Sequence, residues 1–332
     1  VVVKNEVAKE RVSMASSYDC LCAGIIVADT VCHPIPKMPP SGGLAKTERV
    51  EFSIGGCSAN IAVDLARLGI TSTLSGRVGD DLFGREVRQR LAVSGVDISQ
   101  LEISPTAPTS STFVLNVAGE DRRFIHCVGA NGEYDGMQVT EAAIRQARLL
   151  YVGGFCLLDS LTPDRVIRLF RIARENGVAT VLNVVLSETT DTMAWLHPVL
   201  PWTDYFFTND DEARRITNAT GIVRQAEALR DLGTKTAIVT QGERGAILVS
   251  PEARLKAGIF PVDTIDPTGT GDAFSAGFLF GVLRGESPER CLVLGTAMGA
   301  SCVRSMGATT GVFNATELAE FVRANPLAIE SF

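Results

Sequence analysis

Thirteen residues, DPTGTGDAFSAGF at 266–278, place two carboxylates around a lysine-free glycine turn that opens onto a run of small and apolar residues. A helix is expected over 272–284, so Gly269, Thr270 and Gly271 would present unpaired backbone N–H groups at the positive end of a helix dipole. That combination is an anion site. A carboxylate at Asp272, beside a bound anion, is repulsive unless it has chemistry to perform. The chemistry open to it is to accept the proton of an attacking hydroxyl while the N–H groups hold charge developing on a phosphoryl group. The alternative for the same residues is a tight turn with Asp272 as helix cap. Residues 259–263, IFPVD, read as the end of a strand, which puts the glycines at a strand-to-helix turn.

A second stretch, GGCSANIAVDLARLG at 55–69, again sets glycines ahead of a helix. Gly55 and Gly56 allow a close backbone approach, and Ile61, Leu65 and Leu68 supply the helix's apolar side. Asn60 falls in the first turn, where an amide can donate to and accept from a ligand hydroxyl. The competing account has the glycines ending a strand and Asn60 capping locally. Asp29 closes GIIVAD, read as part of the first strand; alone, a post-strand Asp is a turn residue. Two other phosphate devices are missing. There is no G-x-x-x-x-G-K-[ST], and no G-x-G-x-x-G opens the first βα unit.

These groups need a scaffold to hold them. From about residue 140 the chain alternates short apolar strands (RLLYVGG, VATVLNVV, DYFFT, TAIVT) with amphipathic helices. Thr162 and Pro163 start one such helix, Gly177 ends it, and Val166, Ile167, Phe170 and Ala173 share its apolar face. This rhythm predicts a parallel sheet covered on both faces. The N-terminal third breaks the rhythm. HPIPKMPPSGGLAK at 33–46 cannot be helical, and it leads into the strand-like TERVEFSI. Further on, TSSTFVLNV and RRFIHCV flank AGED, a hairpin signal. The pieces predict a small antiparallel sheet from two insertions, at about 33–53 and 109–128. Such a flap can cover a ligand or pair with a second subunit.

With 332 residues, 45% hydrophobic and 21% charged, the chain has an ordinary globular composition. Its formal net charge of −7 argues against a nucleic-acid partner or an anionic membrane surface. Eight cysteines without a C-x-x-C pair, and three histidines, speak for reduced buried thiols in a cytoplasmic protein and against a zinc site. No stretch approaches a membrane span. Residues 1–17 lack a long apolar h-region and are expected to form a disordered or added leader, with one domain over 18–325.

Taken in order from residue 19 to 315, seven stretches resemble the ribokinase family of carbohydrate kinases, the group containing phosphofructokinase B and adenosine kinase. They are GIIVAD, GGCSANIAVDLARLG, GRVGDDLFG (76–84), GAN (129–131), TNDDEA, TQGERGA and DPTGTGDAF. Singly they are weak, but seven in order are specific. The resemblance implies an α/β fold, a ribokinase-like three-layer α/β/α sandwich with a mostly parallel central sheet and a small β-sheet lid. It implies ATP-dependent transfer of the γ-phosphoryl to a hydroxyl of a free sugar or sugar-like substrate, with Mg²⁺. The exposed flap makes a homodimer through the lid the expected assembly. Asp272 would be the base, with Gly269, Thr270 and Gly271 as the anion hole. Asp29, Gly56 and Asn60 would hold sugar hydroxyls. Asn209 and Glu212 would organise Mg²⁺ and its waters, with Asn209 also on the ATP side beside Thr240 and Gly242. Asp266 and Thr268 would ligate a monovalent cation such as K⁺.

The chain departs from the family at two places. Many relatives carry Lys where this chain has Cys57, and its loss argues against a substrate already bearing a phosphate. Relatives often show D-x-N where this chain reads NVV at 183–185, which implies a changed contact near the phosphates. Arg122 and Arg123, in the flap, could meet the carboxylate of a sugar acid. Two rival functions remain: a nucleoside kinase of the adenosine type, which needs an aromatic clamp that 6% aromatic content does not reveal, and a non-catalytic sugar or nucleotide sensor on the same fold. An intact Asp272 with its glycine turn speaks against the sensor.

Overall fold

Side-chain alternation along the strands divides the interior into two cores. In β1 (Cys20–Gly24), Leu21 and Ala23 enter one core while Cys20 and Cys22 enter the other, as a period of two requires. The computed structural model of the protein describes residues 18–120, 123–186 and 191–332, so the expected leader and Arg122 lie outside the described residues.

After β1 the chain leaves the main sheet. The stretch GIIVAD is therefore not one strand: β1 stops at Gly24, and β2 (Val27–Cys32) starts a second sheet. Asn131, the last residue of GAN, holds this break by accepting from the Ile26 N–H at 3.2 Å and donating to the Ile26 carbonyl at 2.9 Å. After β3 (Val50–Gly55) come α1 (Cys57–Arg67), β4 (Ser72–Gly79), α2 (Leu82–Val93) and β5 (Leu101–Ser104). The chain then makes its second excursion, β6 (Ser111–Leu115) and β7 (Arg123–Cys127). Asp81 roots this excursion. Its carboxylate caps α2 at Gly84 N (2.8 Å) and takes both the N–H (2.7 Å) and the hydroxyl (2.6 Å) of Thr109.

The expected alternation follows: α3 (Glu141–Arg145), β8 (Leu149–Phe155), α4 (Pro163–Glu175), β9 (Ala179–Val184), α5 (Thr192–Leu196), β10 (Tyr205–Asn209), α6 (Asp210–Thr217), α7 (Ile222–Asp231) and β11 (Thr236–Thr240). The chain ends with β12 (Ala246–Val249), β13 (Arg254–Ala257), α8 (Thr270–Leu283), α9 (Pro288–Cys302), α10 (Ala315–Ala324) and β14 (Ile329–Ser331).

The main sheet has the order β14-β13-β12-β11-β10-β9-β8-β1-β4-β5. It is parallel from β5 to β11 and antiparallel from β12 to β14. Ile144, Phe170, Leu196, Ile216 and Leu229, from α3 to α7, fill the core on one face. Leu65, Leu91, Phe278 and Leu292, from α1, α2, α8 and α9, fill the other. The expected three-layer α/β/α sandwich is present. Small residues let α8 sit close on α9: a Cβ at Gly277 would meet the Leu294 carbonyl oxygen at 2.5 Å.

The small sheet runs β3-β2-β6-β7. It draws on Val27–Cys32 as well as on the two insertions, and it is mixed where an antiparallel sheet was expected. Its outer pairs are antiparallel, but β2 and β6 are parallel. The reason is directional. β2 and β6 continue onward from β1 and β5, which already run the same way in the main sheet. The IFPVD segment also differs from expectation: β13 ends at Ala257, and residues 258–269 form an irregular loop before α8. Pro261 removes a ladder donor there.

Candidate active site

The functional side chains gather at the carboxyl edge of the parallel strands, where open α/β sheets leave a crevice. Three pieces of backbone converge on it: the start of α1, the start of α8 and β2 of the small sheet.

Gly269 is the N-cap of α8 in a left-handed conformation (φ 77°), and a Cβ there would stand 2.5 Å from the Cα of Ala308. Only glycine fits. The first-turn N–H groups behave unequally. Ala273 N–H bonds the Gly269 carbonyl (2.9 Å) and Thr270 N–H makes a long 3.4 Å bond to the Pro267 carbonyl, whereas Gly269 and Gly271 N–H have no hydrogen bond among the described residues. Open space faces Gly271. The N–H groups left open to an anion are therefore those of Gly269 and Gly271, with Thr270 held partly in the turn.

Asp272 occupies the third position of α8 and is half-buried. Asn60 Nδ2 donates to its Oδ2 at 2.8 Å, and the Cys57 thiol donates to the same carboxylate. Burial raises the Asp272 pKa, and these two donors oppose the rise. The result is a carboxylate that holds a proton more readily than an exposed one, which suits a general base. Asn60 thus contacts the Asp272 carboxylate directly, a contact its place in a first turn did not foretell.

Asp29 lies on the small sheet. Its carboxylate occupies the space over Gly55, where a Cβ would come within 2.0 Å of Oδ2. Burial, then the charges of Asp266 and Asp272, push its pKa up to about 6 against a stabilising hydrogen bond from Thr112. The register sets Ser53, Asp29, Thr112 and His126 in one row across all four strands. Thr112 Oγ1 and His126 Nδ1 are 3.0 Å apart. The Thr112 hydroxyl, with one proton to give, thus stands between Asp29 and His126. Ser53, Thr112 and His126 escaped sequence reasoning because register between separate excursions is not written in either one.

Asn209 and Glu212 form a reciprocal capping box at the start of α6, with Asn209 Oδ1 accepting from Glu212 N at 2.8 Å and Glu212 Oε2 from Asn209 N at 3.1 Å. Asn209 pairs in register with Thr240 at the adjoining strand end, and Gly242 follows with φ 54°. Burial raises the Glu212 pKa, and the charge of nearby Asp272 adds to it. Asp266 is 3% exposed. Its Oδ1 takes Thr268 N (2.9 Å) and Oγ1 (2.6 Å), and its Oδ2 takes Gly307 N (2.9 Å). Gly56 is the N-cap of α1 at φ 89°. Arg123 stands apart: it is exposed on the outer strand β7, two strands from Asp29, and pairs with Glu120. Among the described residues no three His, Cys, Asp or Glu side chains form a metal cluster, no helix is long and apolar enough to cross a membrane, and all eight cysteines are free.

The family model of pfkB family carbohydrate kinases matches residues 19–315 of this chain. A nucleoside kinase of Methanothermobacter thermautotrophicus is 26% identical over 299 residues, covering 90% of this chain and 94% of its own length. A ribokinase of Haemophilus influenzae is 27% identical over 307 residues, covering 90% and 96%. Among solved structures, Arabidopsis thaliana ribokinase complexed with ribose and ATP superposes with a TM-score of 0.81 over 93% of this chain and 99% of that one, at 22% identity.

Because its pKa is raised on folding, Asp29 favours the native state most when protonated. The fold takes up a proton between about pH 4 and 6, and stability falls as pH rises through that window. Asp29→Asn should therefore stabilise the fold at neutral pH by about 3 kcal/mol, seen as a higher melting temperature, and lose that advantage near pH 4. Thermal melts across the pH range check this. An unchanged or lower neutral-pH melting temperature in the variant would contradict a buried, charge-crowded Asp29.

Proposed function

The chain belongs to the pfkB family of carbohydrate kinases and is an ATP-dependent phosphotransferase with an alcohol acceptor; from that premise we propose that Asp272 is its base and a free sugar its substrate. The observation that carries the assignment of Asp272 is its placement at the third position of α8, next to the unbonded Gly269 and Gly271 N–H groups and under the Asn60 donor.

The acceptor hydroxyl lies against the Asp272 carboxylate and gives up its proton there as its oxygen attacks the γ-phosphorus. The Gly269, Thr270 and Gly271 N–H groups, at the helix's positive end, hold the phosphoryl oxygens as charge moves onto the leaving group. Asn60 fixes Oδ2, which directs the remaining carboxylate oxygen at the hydroxyl. Asp29, backed by Thr112 and His126, and the close backbone at Gly56 orient the other hydroxyls. This polar row, and Cys57 in place of the Lys of many relatives, favour an unphosphorylated, hydroxyl-rich acceptor. Arg123, paired and remote, contributes nothing to it. Asn209, Thr240 and Gly242 adjoin one another at the strand ends and would line the ATP side. Glu212 and Asn209 supply hard oxygen ligands that fit Mg²⁺ held through water. When bound, Mg²⁺ neutralises phosphate charge.

Asp272→Asn should leave ATP and sugar binding nearly intact and cut kcat by roughly 10²–10⁴, the range for a lost general base. Near-normal turnover in that variant would defeat the assignment.

A monovalent cation such as K⁺ fits beside Asp266 and Thr268. The Thr268 and Ala308 carbonyls converge on the Cys302 sulfur at 3.2 Å each, yet that thiol has one hydrogen to give. With the buried Asp266 carboxylate they make a hard-oxygen set suited to an alkali ion. Turnover in KCl should exceed that in tetramethylammonium chloride at equal ionic strength, and Asp266→Asn should remove the difference. Equal rates in the two salts would eliminate the ion.

The lid is the dimer surface in this reading. Val50, Phe113 and Ile125 share its face opposite Asp29 and are 56%, 49% and 62% exposed, an apolar patch that a second copy can cover. Sedimentation should give twice the 35.4 kDa chain mass, and Phe113→Glu with Ile125→Glu should give the monomer. A monomeric wild type at assay concentration would remove the dimer.

A further inference from the structure

One turn along α1 from Asn60 lies Asp64, which no step above uses. It is 0% exposed, and neither carboxyl oxygen has a hydrogen-bond partner. Asn60 is itself 4% exposed, and its Oδ1 is likewise buried without a partner while its Nδ2 is bonded to Asp272. Residues four apart share a helix face. Three buried acceptor oxygens therefore stand without a donor on adjacent turns, each costing on the order of 1–3 kcal/mol if left so.

The neighbours cannot supply the donor. Cys302, at the end of α9, has its one thiol hydrogen taken by the Thr268 or the Ala308 carbonyl, each 3.2 Å from the sulfur. Arg67, one turn on along α1, is exposed and forms no ion pair with Asp64 among the described residues. The remaining ionisable groups near Asp64 and Asn60 are Asp272 on α8, Cys57 at the start of α1, Glu212 on α6 and Tyr151 on β8. The Tyr151 hydroxyl is itself buried without a partner, so it bonds neither Asp64 nor Asn60. A proton on Asp64 itself supplies the donor that these neighbours do not.

An amide has a donor end and an acceptor end. Set between two carboxyls, it favours opposite protonation states in them: the acid facing NH₂ ionised, the acid facing C=O protonated. We propose that Asp64 is a positioning residue that stays protonated in the working enzyme and donates its O–H to Asn60 Oδ1, which fixes the amide with its NH₂ on Asp272. Burial and the Asp272 charge both act to keep the proton on Asp64, raising its pKa well above the ordinary carboxylate range against the smaller opposing effect of the Arg67 charge. The inverted amide would turn an oxygen toward the Asp272 carboxylate and strip the base of a donor. Neutral Asp64 also spares Asp272 a second negative charge in the same dry space.

The inference rests on Asp272 being the base, and its test has one arm independent of activity. In the infrared, wild-type protein at about pH 8, far above the ordinary carboxyl range, should retain a protonated-carboxyl C=O stretch that Asp64→Asn lacks. In kinetics, Asp64→Ala should lower kcat about 5- to 20-fold, the scale of one lost orienting hydrogen bond. It should also move the acidic limb of the kcat/KM profile upward by roughly half a unit to one unit, as Asp272 loses its donor. Asp64→Asn, nearly isosteric and carrying an N–H donor at the same place, should recover most of that turnover with the limb near its wild-type position. No carboxyl stretch in the wild type, or an unmoved limb in Asp64→Ala, overturns the proposal. So does a limb that moves downward in Asp64→Asn, since that marks an ionised Asp64. If Asp64→Ala does not fold, the infrared arm and Asp64→Asn still decide. Full activity in Asp272→Asn with the stretch present would instead fault the base assignment alone.

Discussion

The hydrogen bond from Asn60 to Asp272 joins the starts of two helices that lie 212 residues apart in the chain. Much of the site depends on that junction. α1 and α8 pack on the same face of the main sheet, and each begins at a glycine N-cap with positive φ, Gly56 at 89° and Gly269 at 77°. Two helix N-termini therefore point into one crevice with side chains short enough to leave their N–H groups open. The positive potential there suits an anion, as the proposed phosphoryl site requires, and the same potential tolerates a carboxylate in the first turn of α8.

Acid groups are crowded around this point. Asp29, Asp64, Asp272 and Glu212 all have raised pKa values, with burial the largest cause in each. They differ in what opposes it. Asp272 has two side-chain donors, Asp29 has Thr112, and Glu212 has its own N-cap and Thr208; Asp64 has no hydrogen-bond donor among the described residues. Proton affinity is graded by donor supply rather than by burial alone. Such grading is what the proposed roles require, with Asp272 as base while neighbours of the same type hold ligands or orient an amide.

The small sheet is fastened to the main body by residues that look, in one dimension, like ligand motifs. Asn131 clamps Ile26 at the first exit from the main sheet, and Asp81 holds Thr109 at the second. Both bind backbone. Their value to the site is indirect: they fix where β2 and β6 run, and so where Asp29 and Thr112 stand relative to Asp272.

What the sequence determined was local. Periodicity and capping residues specified the alternating strands and helices from residue 140 onward. The glycine-rich stretches at 55–56 and 269–271 marked backbone that must turn sharply or approach closely, and seven ordered motifs specified the family. Those signals are legible because each is fixed by neighbours along the chain. What only the tertiary structure decided was pairing between distant segments. It moved Asp29 from the first main strand into the lid, made β2 and β6 parallel, and aligned Ser53, Thr112 and His126 with Asp29. It also turned Asn60 toward Asp272, left Asp64 buried on the next turn, and placed Arg123 on an outer edge. Strand register and helix-to-helix contacts are set by how two cores close around one sheet, and no short stretch of either partner contains that information.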